Sequence, residues 1–303
     1  MQNAIKSTLK SHGYFTLEIT PTHGISSKTI IEKLENTNIM KKISGFVVTD
    51  NPLAKLKSNS IVTAYKLQTH FNKPAIATMT MRDKNKIGLQ SDLLGANELG
   101  VTSILALTGD SAGASDQPNV KGVFESNSLL LLEIIKCFNN GMDYAGRPLK
   151  DAPEHIYPFC VCNAKVTQPR ALTRKISSKL KFNPEGVITQ PIYDTENAKA
   201  ILEILKEAKE NANLPKSETE LILGFFPVTK LRTAQFLHSH VPGVYIPESW
   251  IEKLTKAKAI SDEEERKVGV ELSRKTFNDL KKLHPKIHIM GANNFELLDE
   301  ITD

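Results

Sequence analysis

Eight short runs of strand-forming residues recur along the chain, each separated from the next by segments of helical period. That alternation limits the fold more than any other feature. The runs cover residues 14–20, 44–50, 74–80, 102–110, 156–162, 185–190, 221–226 and 286–290. Between them, Leu89, Leu93 and Ala96 share one helical face in KIGLQSDLLGANELG, and Gly100 stands where a helix of that register stops. SKTIIEKLE, SNSLLLLEIIKCF, RALTRKISSKLK, TENAKAILEILKEAKE, TKLRTAQFLHSH and SDEEERKVGVELSRKTFNDLKKL read as further helices. Strands alternating with helices form βα units around a parallel sheet. About eight units in 303 residues favour a (β/α)8 TIM barrel over an open doubly wound sheet, with residues 1–303 as a single domain. Two connections exceed the usual length, GDSAGASDQPNVKG after the fourth strand and GMDYAGRPLKDAP before the fifth, and the first reads as a binding loop or lid.

Composition removes several function classes. The charge of +5 arises from 39 basic and 34 acidic residues interleaved along the chain, without a basic block, so no nucleic-acid partner is expected. No apolar run approaches the roughly 20 residues that span a bilayer, and MQNAIKSTLKSHG lacks the apolar core of a secretory leader. A cytoplasmic location without membrane attachment is the expectation. Cys137, Cys160 and Cys162 are too few for a disulfide framework and read as buried free thiols; no His or Cys at ligand spacing completes a metal site. His284 and His288 stand four apart, but Pro285 between them excludes a zinc-binding helix face, and packed core histidines are expected.

Barrel enzymes carry their chemistry at the C-terminal ends of the strands, and those ends are polar here. Period-two alternation sends Phe15, Leu17 and Ile19 to the helix layer and Thr16, Glu18 and Thr20 to the barrel axis. A carboxyl such as Glu18, held in the mouth among Thr and aliphatic groups, loses hydration, which disfavours its charged form and suits a general acid. The same count sends Leu105 and Leu107 outward, leaving Ala106, Thr108 and Asp110 axial, and puts Ile188 and Gln190 on one face. Asp110 could accept two hydrogen bonds from a planar amidine-like group, or cap the loop that follows it. Gln190 offers a donor and an acceptor in one plane, a match for the edge of a heterocycle. Arg82 and Asp83 follow the third strand and precede a helix starting near Asn85, where they could hold a phosphate or ribose, or simply pair with one another. No GxGxxG or GxxxxGK[ST] pattern supports a Rossmann site or a P-loop.

At these strand ends the chain resembles the methylenetetrahydrofolate reductases. The resemblance is carried by DNPLAKLKSNSIVTAYKLQ, MRDKNKIGLQSDLLGANELGVTSILALTGD, EGVITQPIYD and GFFPVTKLRTAQFLHSHVPGVYIPESWIEKL, and runs from about Phe15 to HIMGAN. It implies an enzyme that passes a hydride from NADH or NADPH to a flavin, and then to 5,10-methylenetetrahydrofolate, giving 5-methyltetrahydrofolate for one-carbon metabolism and methionine synthesis. The flavin implied is FAD, with FMN or a weakly held flavin as alternatives. By position, Glu18 in FTLEITP matches the family glutamate that protonates N10 and opens the five-membered ring. Asp110 in LTGD matches the aspartate set between flavin and pterin, and Gln190 in ITQ the glutamine that binds the pterin. Thr49, Thr78, Arg82, Asp83 and Lys179 match positions near the flavin or its phosphates.

Three positions depart from the family pattern: Thr78 where many members have His, Thr108 where some have Arg, and CNAK after the fifth strand where His-Pro-Glu is frequent. They touch the flavin surroundings and leave the folate-side residues intact. Two rival readings stay open, a folate-binding barrel that takes electrons from a partner protein and a Schiff-base lyase using Lys165. NADH versus NADPH and the oligomeric state, a homo-oligomer included, are likewise left open.

Overall fold

The computed structural model describes residues 7–11, 13–241 and 243–303. Among them eight strands close into a parallel barrel in chain order: β1 (Tyr14–Ile19), β2 (Gly45–Val48), β3 (Ala75–Thr80), β4 (Ser103–Leu107), β5 (Tyr157–Cys162), β6 (Gly186–Pro191), β7 (Glu220–Phe225) and β8 (Lys286–Ile289). Each lies within the run expected for it or overruns it by one residue, and β8 pairs back to β1 with His288 opposite Thr16. The expected TIM barrel is the fold.

The outer layer comprises α1 (Lys28–Glu35), α2 (Ile39–Lys42), α3 (Ser60–Phe71), α4 (Lys86–Glu98), α5 (Ser128–Asn139), α6 (Pro169–Leu180), α7 (Thr195–Asn211), α8 (Leu231–His240), α9 (Glu248–Ile260), α10 (Asp262–Leu283) and α11 (Phe295–Thr302). The stop expected at Gly100 is real. Gly100 takes φ +69°, its N–H bonds Asn97 O at 2.9 Å, and the next N–H, of Val101, bonds Ala96 O at 2.8 Å. This left-handed reversal satisfies the last carbonyls of α4. Three helices of two turns or more come in addition to those expected. In α3, Ile61, Ala64 and Leu67 are buried at helical spacing and the Asn59 side chain caps the first turn. In α9, Trp250, Leu254 and Ala257 are buried, and α11 buries Phe295, Leu298 and Ile301.

Two apolar cores result from the pleat. The larger lies between strands and helices and holds Leu17, Ile19, Phe46, Met79 and Phe225. The smaller fills the barrel with Tyr14, Val47, Ile76, Phe159, Ile188 and Ile222. Burying a side chain the size of Phe159, which is fully enclosed, contributes roughly 1.5–3 kcal/mol. The alternation expected on β1 holds, with Leu17 and Ile19 outside. On β4 the phase is reversed: Leu105 and Leu107 belong to the interior cluster, and Ala106 packs outward. The cause is size matching, because the interior around Ile76 and Phe159 has to be filled by large side chains, whereas the helix layer already supplies them to Ala106. A third cluster, Tyr193, Val228, Ile246, Trp250 and Leu254, seats α8 and α9 after β7.

Cys160 and Cys162 are buried free thiols on the outer face of β5, and burial pushes them up to about 11 and about 12, so both stay neutral. Cys137 is a free thiol of intermediate exposure. No helix among the described residues is long and apolar enough to cross a membrane.

Candidate active site

Glu18 projects from the inner face of β1 and keeps 21% of its side chain exposed, so it stands at the solvent boundary of the mouth and is not fully enclosed. Its neighbour is a residue that sequence reasoning took for ordinary core: His288, 4% exposed, faces it from β8 with Nε2 3.9 Å from Glu18 Oε2. The other ring nitrogen, Nδ1, lies 3.0 Å from Thr16 Oγ1. His284, by contrast, ends α10 and bonds Leu221 O at 2.7 Å, a structural contact.

Gln190, expected to share a face with Ile188, lies partly buried at the C-terminal end of β6. Its position depends on an irregularity. The pairing of β6 with β7 shifts register between Ile188 and Pro191, so the strand bulges where Thr189 and Gln190 lie. The Thr189 hydroxyl stabilises the bulge, accepting from Gly224 N at 2.8 Å and donating to Gln190 O at 2.7 Å. Gly243, at φ +85°, brings the loop after α8 over Gln190 and Asn163 with no room for a side chain. Gln190 Oε1 is buried there without a hydrogen-bond partner among the described residues. A buried amide acceptor left unpaired is costly, and a donor on a bound molecule would satisfy it.

Asp110 is exposed, and it neither turns into the barrel nor caps its own loop. Its Oδ2 accepts from Leu53 N at 2.7 Å in the loop after β2, while Ser111 caps the short helical turn Ala112–Ala114. A second tie, Ser115 Oγ to Ala54 O at 2.7 Å, fastens the long loop after β4 to the loop after β2. Asn51, Leu53 and Ala54 in that latter loop all take positive φ, at 42°, 55° and 55°. Such a conformation persists only where the surroundings enforce it, and Asp110 and Ser115 supply that restraint. Thr108, expected to be axial, is exposed and accepts from Ser128 N at 3.2 Å at the start of α5. Thr49 folds back on the backbone, with its N–H 3.0 Å and its hydroxyl 3.4 Å from Ile19 O.

Thr78 is buried on the inner face of β3, opposite Leu105. Beyond that strand Arg82 and Asp83 pair in bidentate fashion, Nε to Oδ1 and Nη2 to Oδ2 both at 2.7 Å, and Nη2 also bonds Asn51 O at 3.0 Å. The pairing that was the simpler reading of these two residues is therefore present. Burial works against the Asp83 carboxylate, but the guanidinium outweighs it and holds Asp83 below the usual carboxylate range. Beside them Asp50 is pushed up by burial, partly offset by Lys84 and by two hydrogen bonds from Thr80. Arg82 is 2% exposed, and its Nη1 has no partner among the described residues. Arg82→Met should lower stability by about 2 kcal/mol, less than breaking a fully buried pair because Asp83 remains 30% exposed. Chemical denaturation would measure the loss, and an unchanged midpoint would deny Arg82 its structural share.

Lys179 extends from α6 and donates to Val161 O at 2.6 Å. It lines a cavity of about 400 Å3 between the ends of β4 and β5 and helices α5 and α6, together with Lys175, Asn127 and Asn163 on the polar side and Leu172 and Ile176 on the apolar side. Lys165 lies apart, exposed, with its ammonium 4.7 Å from the Tyr245 ring centroid. Glu18, Gln190, Thr78, Arg82 and Asp110 thus share the C-terminal end of the barrel, with the Lys179 cavity at its side. Sequence reasoning missed His288, Gly224 and Lys175. The period of β8 carried a signal for the first, since His288 alternates with Ile287 and Ile289 of the outer core.

Comparison with known proteins agrees with this architecture. Among solved structures, a Clostridium thermocellum protein that binds two copies of 5-methyl-5,6,7,8-tetrahydrofolic acid superposes with a TM-score of 0.65 at 16% identity, over 98% of this chain and 96% of that one. DmoA from Hyphomicrobium sulfonivorans gives 0.56 at 10% identity, over 95% and 85% of the two chains. The EDTA monooxygenase EmoA from Chelativorans gives 0.56 at 11% identity, over 95% and 91%. At such identities these likenesses describe the fold. No curated protein sequence matches the chain. The profile for methylenetetrahydrofolate reductase, however, matches residues 4–303, so the chain whose barrel mouth carries Glu18, Asp110 and Gln190 belongs to the methylenetetrahydrofolate reductase family.

Proposed function

We propose that this protein reduces 5,10-methylenetetrahydrofolate to 5-methyltetrahydrofolate, with NADH or NADPH as electron donor and a flavin as carrier. The observation that carries the reading is the carboxyl of Glu18, set at the mouth on the barrel's inner face beside a buried imidazole. Family membership supports it, and the Clostridium thermocellum neighbour binds the compound that would be the product here.

The chain's own residues divide the work. Glu18 gives its proton to N10 of the folate, which opens the five-membered ring and leaves a cationic, electrophilic carbon. Asp110, anchored through Leu53 N, keeps a negative charge at the mouth, where it favours that cation. Gln190 presents its unpartnered Oε1 to an N–H on the pterin edge.

The flavin-side residues fit a phosphate-bearing, partly apolar group. Among the described residues Arg82 Nη1 is a buried donor without a partner, and the cavity beside Lys175 and Lys179 combines two ammonium groups with an apolar wall. Thr49, Thr78, Arg82, Asp83 and Lys179 would hold the flavin. When bound, it accepts a hydride from the nicotinamide nucleotide and delivers one to the folate carbon.

An absorbance spectrum of the purified protein, supplemented with FAD, tests the reading. Flavin bands should bleach on adding NADH or NADPH with no second protein present, and recover when methylenetetrahydrofolate is added. A protein that retains no flavin and forms no methyltetrahydrofolate would refute it.

A further inference from the structure

The steps above leave the imidazole of His288 without a task, although its placement is specific. It sits on the inner face of β8, 4% exposed, in register with Thr16 on β1 and Gly224 on β7. From β7, therefore, no side chain opposite competes for the ring. From β1, Thr16 Oγ1 meets Nδ1 at 3.0 Å and Glu18 Oε2 faces Nε2 at 3.9 Å. The remaining charged groups on these three strands, Lys286 and Glu220, pair with each other at 2.8 Å near the opposite end of the barrel. Among the described residues of these strands, Glu18 is thus the charged partner that faces His288.

The neighbours of an imidazole set which nitrogen carries its proton. A hydroxyl can donate into Nδ1, and the proton then resides on Nε2, directed at Glu18. With the acidic proton of Glu18 on Oε1, the opposite tautomer would set a bare Nε2 lone pair against the lone pairs of Oε2. Catalytic hydrogen bonds are commonly long before substrate arrives and tighten once it excludes water.

We propose that His288 is the positioning residue for Glu18: with Nδ1 accepting from Thr16, its Nε2–H engages Oε2 and leaves the acidic proton on Oε1 for the substrate. In the transfer the Glu18 O–H bond breaks and the N10–H bond forms. The electron pair of the broken bond stays on the carboxylate, which the Nε2–H then stabilises as a charge-assisted acceptor. The inference rests on the proposed function for the identity of the substrate, whereas the tautomer and its coupling to Glu18 do not depend on it.

Nitrogen NMR of histidine-labelled protein, combined with half-reaction kinetics, tests it. The His288 signals are assigned by their absence in His288→Gln. The wild type should show the Nε2–H tautomer, Thr16→Val a mixture of tautomers, and Glu18→Gln a displaced Nε2 resonance. His288→Leu should lower kcat for methylenetetrahydrofolate at least about tenfold with KM within about threefold, and leave reduction by the nicotinamide nucleotide unchanged. His288→Gln, whose amide can still donate to Oε2, should recover most of that loss. An Nδ1–H tautomer in the wild type, or wild-type turnover by His288→Leu, would overturn the assignment. If the wild type does not act on methylenetetrahydrofolate, the proposed function fails while the tautomer measurements still decide the role of His288. If His288→Leu does not fold, Thr16→Val decides through its tautomer ratio.

Discussion

Glu18→Gln should lower methylenetetrahydrofolate turnover about a thousandfold while reduction by NADH or NADPH stays within about twofold of wild type. The amide keeps the shape of the side chain and its place beside His288 and Thr16, so the mouth is not rebuilt. What it loses is an acidic proton. Ring opening at N10 needs one, and the side chains of Thr78 and Gln190 offer none of comparable acidity. Stability should change little, because a side chain that is 21% exposed and makes one distant ion-pair contact contributes little to it. Rapid-mixing kinetics that separate the two half-reactions would read both numbers. Equal slowing of both halves would point to a distorted site, and turnover at the wild-type rate would remove Glu18 from proton transfer.

The barrel was legible because its information is local. Each strand is a short β-branched run bounded by turn residues, and each helix the sequence revealed carries a wide apolar stripe. Helix α3 escaped notice because Thr, Tyr and His interrupt its pattern, and Asn59 caps it without an acidic first turn. The phase of β4 escaped for another reason. In a strand buried on both faces every position is apolar or small, so alternation carries no sign of which face is inner, and residue volume has to decide. Glu18 was readable because β1 mixes Thr and Glu with large aliphatics. Asp110 and His288 were only half-readable, because their partners, Leu53 and Glu18, are 57 and 270 positions away in sequence. The bulge at Thr189 and Gln190 left no trace, since its cause lies on another strand.

That cause makes Gly224→Ala the substitution with the largest expected effect on the fold. A Cβ at Gly224 would strike the carbonyl oxygens of Thr189 and Gln190, the latter at 2.8 Å, and neither can swing aside as a flexible side chain could. Both ends of the residue are already committed, its N–H to Thr189 Oγ1 at 2.8 Å and its carbonyl to Ile192 N at 2.9 Å. Relief therefore requires β6 and β7 to separate, at a cost of about 3 kcal/mol or more and a melting temperature lower by roughly 6–12 °C. Because Gln190 rides on the displaced bulge, its amide should leave the position where Oε1 is buried, and affinity for 5-methyltetrahydrofolate should fall even at temperatures where the variant is folded. Gly95→Ala is the matching control: it lies in α4 with open space where its Cβ would go, and should raise stability by up to about 1 kcal/mol. Thermal melts and a ligand titration on the two variants separate the effects. Should Gly224→Ala melt with the wild type, the bulge is not held by the absence of a side chain at that position, and the placement of Gln190 needs another cause.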